Sequence, residues 1–266
     1  YMQNYQVCNR CVMDTTDPEI VFDSEGLCNH CTTCIKESKI ICPIGKEREI
    51  RLKNIVQKIK KSAKNNKYDC LIGMSGGVDS SYLAYLLKDL GLRPLALHMD
   101  NGWNSKESVS NIMSVCSSLN IDYESYVLDW NEFKDLQLSI LKSSIVEVEI
   151  PTDLAIVGVL NRTASKHNIK YIIGGGNYVT EGILPKMWFY DPKDVKLLKS
   201  IQKIFGTKKI KNFPFFDYKS EIYYKFFRSI KNIYLLNLIE YNKDKAQKIL
   251  KEKLGYVAYG GKHHES

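Results

Sequence analysis

From Tyr68 onward, short apolar runs alternate with stretches of helical period. "YDCLIGM" (68–74) predicts a buried strand, and "SSYLAYLLKDLG" (80–91) a helix closed by Gly91. "RPLALHM" predicts a second strand with "DNGWNS" as its exit loop, and "KESVSNIMSVCSSLN" a helix. "IDYESYVLD" predicts a third strand and "WNEFKDLQLSILKSSI" a helix. "DLAIVGVLNRTASKHN" predicts another helix that starts near Thr152, and "IKYIIGGGN" a fourth strand that runs into a Gly-rich loop. Strands alternating with helices imply a parallel sheet covered on both faces. Ligands on such sheets sit beyond the carboxyl ends of the strands. The loops at 75–81, 100–105 and 174–182 all fall at such ends.

The flanks differ. Residues 1–45 are turn-rich, with one short strand expected at "EIVF" (19–22) and a turn at Ser24-Glu25-Gly26. Residues 46–66 place Ile50, Ile55, Val56 and Ile59 near helical spacing, an amphipathic helix joining two modules. Past residue 190 the pattern is helical, aromatic and basic. Three units follow: 2–45, 46–192 and 193–266.

Composition sharpens this. Of 266 residues, 44% are apolar and 26% charged, which suits a globular protein. No apolar run reaches the roughly 20 residues of a membrane-spanning helix. The first residues carry no basic-then-apolar leader, so a cytoplasmic protein is expected; Tyr1 ahead of Met2 reads as an added residue. The net charge is +8. From Lys193 onward there are 17 Lys and Arg against 7 Asp and Glu, so the basic charge lies in the last third. Such a surplus suits an anionic partner or simply a solvated lysine-rich face.

Five of the eight Cys fall between residues 8 and 34. Cys8, Cys11, Cys28 and Cys31 form C-x2-C-x16-C-x2-C. Each C-x2-C turn points two thiolates at one centre, and two turns close a tetrahedral site of the kind structural Zn2+ prefers. A closed four-thiolate site leaves no position for water, so its expected role is folding. An iron–sulfur cluster is the competing occupant. Cys34 is an alternative ligand, His30 a bystander, and Cys70 and Cys116 small hydrophobes.

"SGGVDSS" (75–81) follows a strand and opens a helix. Gly76 and Gly77 allow close backbone approach, the amides of residues 77–81 face an anion, and Ser75, Ser80 and Ser81 offer hydroxyls. The loop has no lysine, so it is not a Walker loop built for terminal phosphoryl transfer. It resembles the pyrophosphate loop (PP-loop) of the ATP pyrophosphatase superfamily, which includes NAD, GMP and asparagine synthetases and several tRNA-modifying enzymes. That resemblance implies ATP and Mg2+, with Ser75, Gly76, Gly77, Val78, Asp79, Ser80 and Ser81 around the pyrophosphate. Asp79 is then placed near the phosphates and Mg2+, Met74, His98 and Asp100 beside adenosine, and Gly174 and Gly175 beside the α-phosphate or substrate. Asp79 has the alternative role of a helix-capping residue.

Six segments resemble one family in the same order. They are "CNRCVMDTTDPEIVFDSEGLCNHC", "SGGVDSS", "DNGW", "PTDLAIVGVL", "GGGNYVTEGILP" and "YGGKHHES". The family is the N-acetyl sugar amidotransferases of bacterial surface-polysaccharide (lipopolysaccharide O-antigen) and nonulosonic acid biosynthesis. The resemblance implies an adenine nucleotide alpha hydrolase-like α/β domain, preceded by a zinc ribbon and followed by a helical C-terminal region. Family members run on well past "GGKHHES", so the chain is expected to be truncated there. The implied reaction adenylates the acetamido oxygen of a nucleotide-linked sugar and replaces AMP with ammonia. Asp79, Ser80, Asp153 and Glu181 are its catalytic candidates. Asn177, Thr180, Glu181, Lys186, Lys262, His263, His264 and Glu265 are its candidates for holding the sugar. Neither Cys70 nor Cys116 has a recognisable glutaminase partner motif, so a separate glutaminase subunit is expected to supply ammonia, as the resemblance also implies. Nucleic acid and membrane partners are not expected. The alternatives are a tRNA-modifying enzyme of lysidine or thiolation type, and a non-catalytic nucleotide-binding module. Only Cys116 follows the loop, which argues against sulfur transfer.

Overall fold

The computed structural model describes residues 5–183, 185, 191 and 193–258. Its frame is a five-stranded parallel sheet of β1 (Cys70–Gly73), β2 (Pro94–Asp100), β3 (Asp122–Val127), β4 (Tyr171–Gly174) and β5 (Lys231–Tyr234). The strand order is β3-β2-β1-β4-β5. In register, Leu71 of β1 stands opposite Leu95 of β2 on one side and Ile172 of β4 on the other. The direction of winding reverses between β1 and β4, which opens a crevice at their carboxyl ends.

The helices are α1 (Asn29–Ile41), α2 (Gly45–Ser62), α3 (Val78–Asp89), α4 (Lys106–Ser118), α5 (Trp130–Ser143), α6 (Ile150–Lys166), α7 (Tyr178–Glu181), α8 (Val195–Phe205), α9 (Tyr218–Ile222) and α10 (Lys243–Leu254). Alternation along the strands decides which helices cover which face. Cys70, Ile72, Ala96, Tyr171 and Ile173 pack with α2, α3, α4 and α10. Leu71, Leu95, Leu97 and Ile172 point the other way and pack with Val159 and Ala164 of α6. Outside α6, a further apolar cluster joins α5 to α8 through Phe133, Leu136, Leu198 and Ile201. No helix among the described residues is long and apolar enough to cross a membrane.

Several local expectations are corrected. "EIVF" forms no strand, only a single bridge from Phe22 to Cys28. The Asn29 side chain takes a partner strand's place: its Oδ1 accepts from Val21 N at 3.0 Å and its Nδ2 donates to Glu19 O at 3.1 Å. The second Cys pair opens the 13-residue α1, where turns were expected; its N-cap is Cys28, whose sulfur accepts from Cys31 N. Helix α6 starts at Ile150, with Glu149 rather than Thr152 in the cap position and Pro151 in the first turn. The basic C-terminal stretch contributes β5, although its pattern reads as helical. It also lays α8 on α5 and α10 on α3.

Two buried carboxylates of α5 hold the loop after α8. Glu132 accepts from the backbone N–H groups of Lys211, Asn212 and Phe213, at 2.8–3.1 Å. Asp135 accepts from Thr207 N, Thr207 Oγ1 and Lys208 N. Burial opposes ionisation of Asp135, but these donors outweigh it and hold its pKa down at about 2. A lowered folded-state pKa means stability that is present above the unfolded value of about 4 and is lost as pH falls toward about 2. That contribution is on the order of 2 kcal/mol. Asp135→Asn is therefore expected to lower the melting temperature at pH 7 and to leave a smaller difference from the unaltered protein at the acid end. Melts recorded as a function of pH check this, and a constant difference throughout would refute it.

Candidate active site and metal centre

The phosphate-type loop leaves β1 at Met74 and enters α3 at Val78. Gly76 has φ +82°, a left-handed conformation that costs a side-chain-bearing residue about 1–2 kcal/mol. Ser75 and Ser80 close the loop: Ser75 N donates to Ser80 Oγ at 3.3 Å, and Gly77 N to Ser75 Oγ at 3.3 Å. From outside, Ser108 of α4 braces it by donating from Oγ to Ser75 O at 2.7 Å. Gly77 caps α3 with no side-chain acceptor. The first turn of α3 thus points its N–H groups and the positive end of its dipole at whatever occupies the crevice. Ser81 is fully buried, and its Oγ has no hydrogen-bond partner among the described residues.

A cleft of about 850 Å³ opens above this loop. Met74, Ser75, Asp79, Ser80, His98, Gly174, Gly175 and Glu181, all named from the sequence, line it together. The turn after β4 comes close to the start of α3: a Cβ built on Gly175 would lie 3.7 Å from Ser80 N. His98 is buried; its Nδ1 lies 2.9 Å from Met74 O, which fixes the proton there and leaves Nε2 as an acceptor. Nε2 has no partner among the described residues, and unpaired buried acceptors are costly. A ligand N–H or O–H in the cleft would satisfy it.

Other sequence candidates stand elsewhere. Asp100 does not line the cleft, and its Oδ1 braces the next loop by accepting from Gly102 N at 2.9 Å and Asn104 Nδ2 at 3.1 Å. Asp153 is exposed on the first turn of α6, while its neighbours Thr152 and Ile156 line the cleft. Asn177 caps α7 through Val179 N at 2.9 Å and lines an adjoining cavity. Lys186, Lys262, His263, His264 and Glu265, and the side chain of Thr180, lie outside the described residues.

Sequence reasoning missed three kinds of group. Tyr241, from the turn before α10, donates its hydroxyl to Asp79 Oδ1. Trp103 lies at the cleft mouth, edge-on to Trp130 at 5.7 Å. Gln137 and Leu141 reach the cleft from α5. "DNGW" marks the loop that carries Trp103, whereas Tyr241, Gln137 and Leu141 sit in no motif.

Glu181 borders both the cleft and the adjoining cavity. Desolvation there, reinforced by the Asp79 carboxylate, pushes its carboxyl above the usual range, against a donor from Asn177 N. A raised carboxyl pKa beside a phosphate loop suits a proton-handling group.

The four cysteines of the N-terminal module form one cluster, with all their sulfurs within 4.8 Å of one another. Cys8 and Cys31 sulfurs lie 3.8 Å apart and those of Cys11 and Cys28 3.7 Å apart. A tetrahedron with metal–sulfur bonds of about 2.3 Å has sulfur–sulfur edges of about 3.8 Å, so the four thiols fit Zn2+. Burial raises the Cys8 pKa, but N–H donors from Arg10, Cys11 and Cys28 win and hold it at about 6, whereas burial pushes the Cys11 and Cys28 thiols up. Cys34 is not in the cluster. His30 Nε2 sits 2.6 Å from Asp17 Oδ2 and is likewise not part of it.

Residues 50–141 match the family model described as NAD synthase. Over those residues the chain resembles a PP-loop domain of the NAD synthase type. The match spans β1 to α5 and contains the whole phosphate loop. An uncharacterized protein of Methanocaldococcus jannaschii is 30% identical over 117 residues, 43% of this chain and 40% of that protein. The 7-cyano-7-deazaguanine synthase of Sulfurimonas denitrificans is 33% identical over 88 residues, 33% of this chain and 38% of the synthase. The chain thus spans about two-fifths of the length of these relatives. Among solved structures, the U34-tRNA thiolase NcsA of Methanococcus maripaludis with its 4Fe-4S cluster is 17% identical. That similarity covers 97% of this chain and 76% of the thiolase, with a TM-score of 0.45. The PP-loop superfamily comprises ATP-using synthetases, and the cleft lies beside the loop that this match contains.

Proposed function

We propose that the protein is an ATP-dependent amidotransferase acting on a nucleotide-activated N-acetyl sugar. The carrying observation is that the lysine-free loop, the α3 N-terminus and Glu181 meet in one cleft, while the surrounding motifs resemble the sugar amidotransferases in order. In this reading the acetamido oxygen attacks the α-phosphorus of ATP and the bond to the β,γ-pyrophosphate breaks. The O-adenylyl imidate that results carries AMP as a leaving group. Ammonia then adds to the imidate carbon, the carbon–oxygen bond to AMP breaks and a proton leaves. The product is an acetamidino group.

The loop N–H groups and the α3 dipole stabilise the departing pyrophosphate, and Asp79 would hold Mg2+, whose charge would offset that of the pyrophosphate. Ser75 and Ser80 keep the loop in shape. His98 Nε2 accepts a hydrogen bond from the nucleotide. Glu181 takes the proton released when ammonia adds, for which its raised pKa suits it. Much of the rate comes from holding two poor reactants in line. Ammonia comes from a separate glutaminase subunit.

A second reading is supported by names of shorter matches. The tRNA(Ile)-lysidine synthase of Chlamydia pneumoniae is 34% identical over 70 residues. Lys199, Lys203, Lys208 and Lys209 also gather around a pocket of about 480 Å³, a surface that suits phosphate.

Pyrophosphate release measured with UDP-, GDP- and CMP-linked N-acetyl sugars, and with bulk tRNA, separates the readings. The expected result is sugar-dependent release at least about tenfold over background, supported by ammonium but not by glutamine when this chain is assayed alone. The sugar product should be lighter by about one mass unit, as oxygen gives way to NH. Release that depends on tRNA instead would establish the second reading.

A further inference from the structure

A second cavity of about 640 Å³ adjoins the ATP cleft. One wall is α1 of the cysteine module, through Asn29, Thr33 and Glu37. The opposite wall is the turn after β4, through Asn177 and Tyr178, with Tyr234 of β5 beside it. Tyr178 fixes the two walls relative to each other. Its hydroxyl donates to Glu37 Oε2 on α1, and its backbone N donates to Asn237 Oδ1 at 2.8 Å. Ile183, just after α7, packs against the apolar cluster around the four cysteines. The two cavities share Glu181, and Gly175 of one precedes Gly176 of the other. A molecule held here would reach the phosphate loop by passing Glu181.

The lining excludes some ligands. Among the described residues that form it are three carboxylates, carboxamides, hydroxyls, tyrosine rings, the Cys34 thiol and the His30 imidazole, and no Lys or Arg. A phosphate group would meet Glu19, Glu37 and Glu181, while the one basic side chain of the lining among the described residues, His30, is already engaged by Asp17. A neutral ring with hydroxyl and carboxamide substituents finds donors and acceptors in Asn177, Asn237 and Tyr178. The Tyr234 ring offers a flat apolar surface for its C–H face.

We propose that this cavity binds the glycosyl ring of the acceptor, so that the cysteine module is a wall of the substrate site as well as a folding unit. The assignment rests on the sugar amidotransferase reading for the identity of the acceptor. It places the ring between α1 and α7, directs the acetamido group past Glu181 toward the α-phosphate, and leaves the acceptor's own phosphates outside the cavity.

The test is saturation-transfer NMR on the full chain with free N-acetylglucosamine, N-acetylgalactosamine and N-acetylmannosamine. At least one sugar is expected to receive transfer at its acetamido methyl and ring protons. Thr33→Trp, which fills the cavity from α1, is expected to weaken that binding at least about tenfold while ATP binding stays within about twofold. Tyr234→Ala, at an exposed position on β5, removes the flat surface from the other side, and decides the matter if Thr33→Trp does not fold. No transfer to any of the three sugars, or transfer that survives both substitutions, overturns the assignment. Failure of the amidotransferase reading looks different: the sugar binds and both substitutions weaken it, yet no sugar nucleotide stimulates pyrophosphate release.

Discussion

Gly76→Ala is expected to reduce pyrophosphate release at least about a hundredfold, the scale of loss that a displacement near 1 Å can cause. Two effects add. A residue with φ +82° is strained once it carries a Cβ. That Cβ would also lie 2.4 Å from Ser108 O and 2.7 Å from Ser108 Oγ. Ser108 cannot retreat easily, because it belongs to the first turn of α4, where its N–H donates to the Ser105 cap at 3.0 Å. Helix α4 is itself pinned by Ile112 and Val115, both fully buried. The loop must therefore yield, and the Ser108–Ser75 brace goes with it. Phosphate-loop geometry is lost while the sheet and the cysteine cluster persist. A coupled pyrophosphate assay, a thermal melt and a metal determination on the same sample check all three points. Activity within about tenfold of the unaltered chain would show that the loop does not hold the reacting phosphates.

Removing the metal is the second large effect. Cys28→Ser, or a strong chelator, is expected to unfold the N-terminal module while leaving β1, β2 and α3 protected. Cys28 is fully buried, caps α1 and lies opposite Cys11 in the cluster. The apolar cluster around it contains few other buried side chains: Cys8, Ile20 and Cys31. So small a cluster cannot offset the chain entropy of ordering some 35 residues. In zinc-finger peptides the metal contributes about 10–16 kcal/mol toward folding. Hydrogen exchange by mass spectrometry should show loss of protection over residues 5–41 and little change at the phosphate loop, with zinc content falling in parallel. Retention of bound zinc and of full protection by Cys28→Ser would reject the four-cysteine site. An iron content with visible absorption would replace zinc by a cluster on the same ligands.

The core of the fold was legible because periodicity reports burial. β1, β2 and β4 are apolar runs buried on both faces, and helices of the expected lengths follow β1 and β2. β5 was not legible. "KNIY" is an edge strand whose residues are mostly exposed, so no apolar pattern marks it; only its pairing with β4 makes it a strand. Helix α1 was hidden for a related reason. Its apolar positions are few, and it begins inside a Cys pair that reads as a turn. "EIVF" failed in the opposite sense: it has strand propensity, but the Asn29 side chain satisfies its backbone locally.

The sequence by itself determined the chemistry-bearing stretches: four thiols at ligand spacing, and a lysine-free phosphate loop after a strand. The loop and each C-x2-C turn are local, since their residues lie within a few positions of one another and backbone sterics dictate their shape, and the repeated ligand spacing marks the two turns as one site. Tertiary structure alone decided which distant stretches share a wall. It brought Glu181 to Asp79, Tyr241 to the head of α3, and α1 of the cysteine module to the turn after β4. These meetings depend on sheet order and helix packing, which bring together residues up to 162 positions apart. No window along the chain contains that information. The physical reason is that the strand order β3-β2-β1-β4-β5 opens the crevice between β1 and β4, and everything that packs near its rim becomes part of the site.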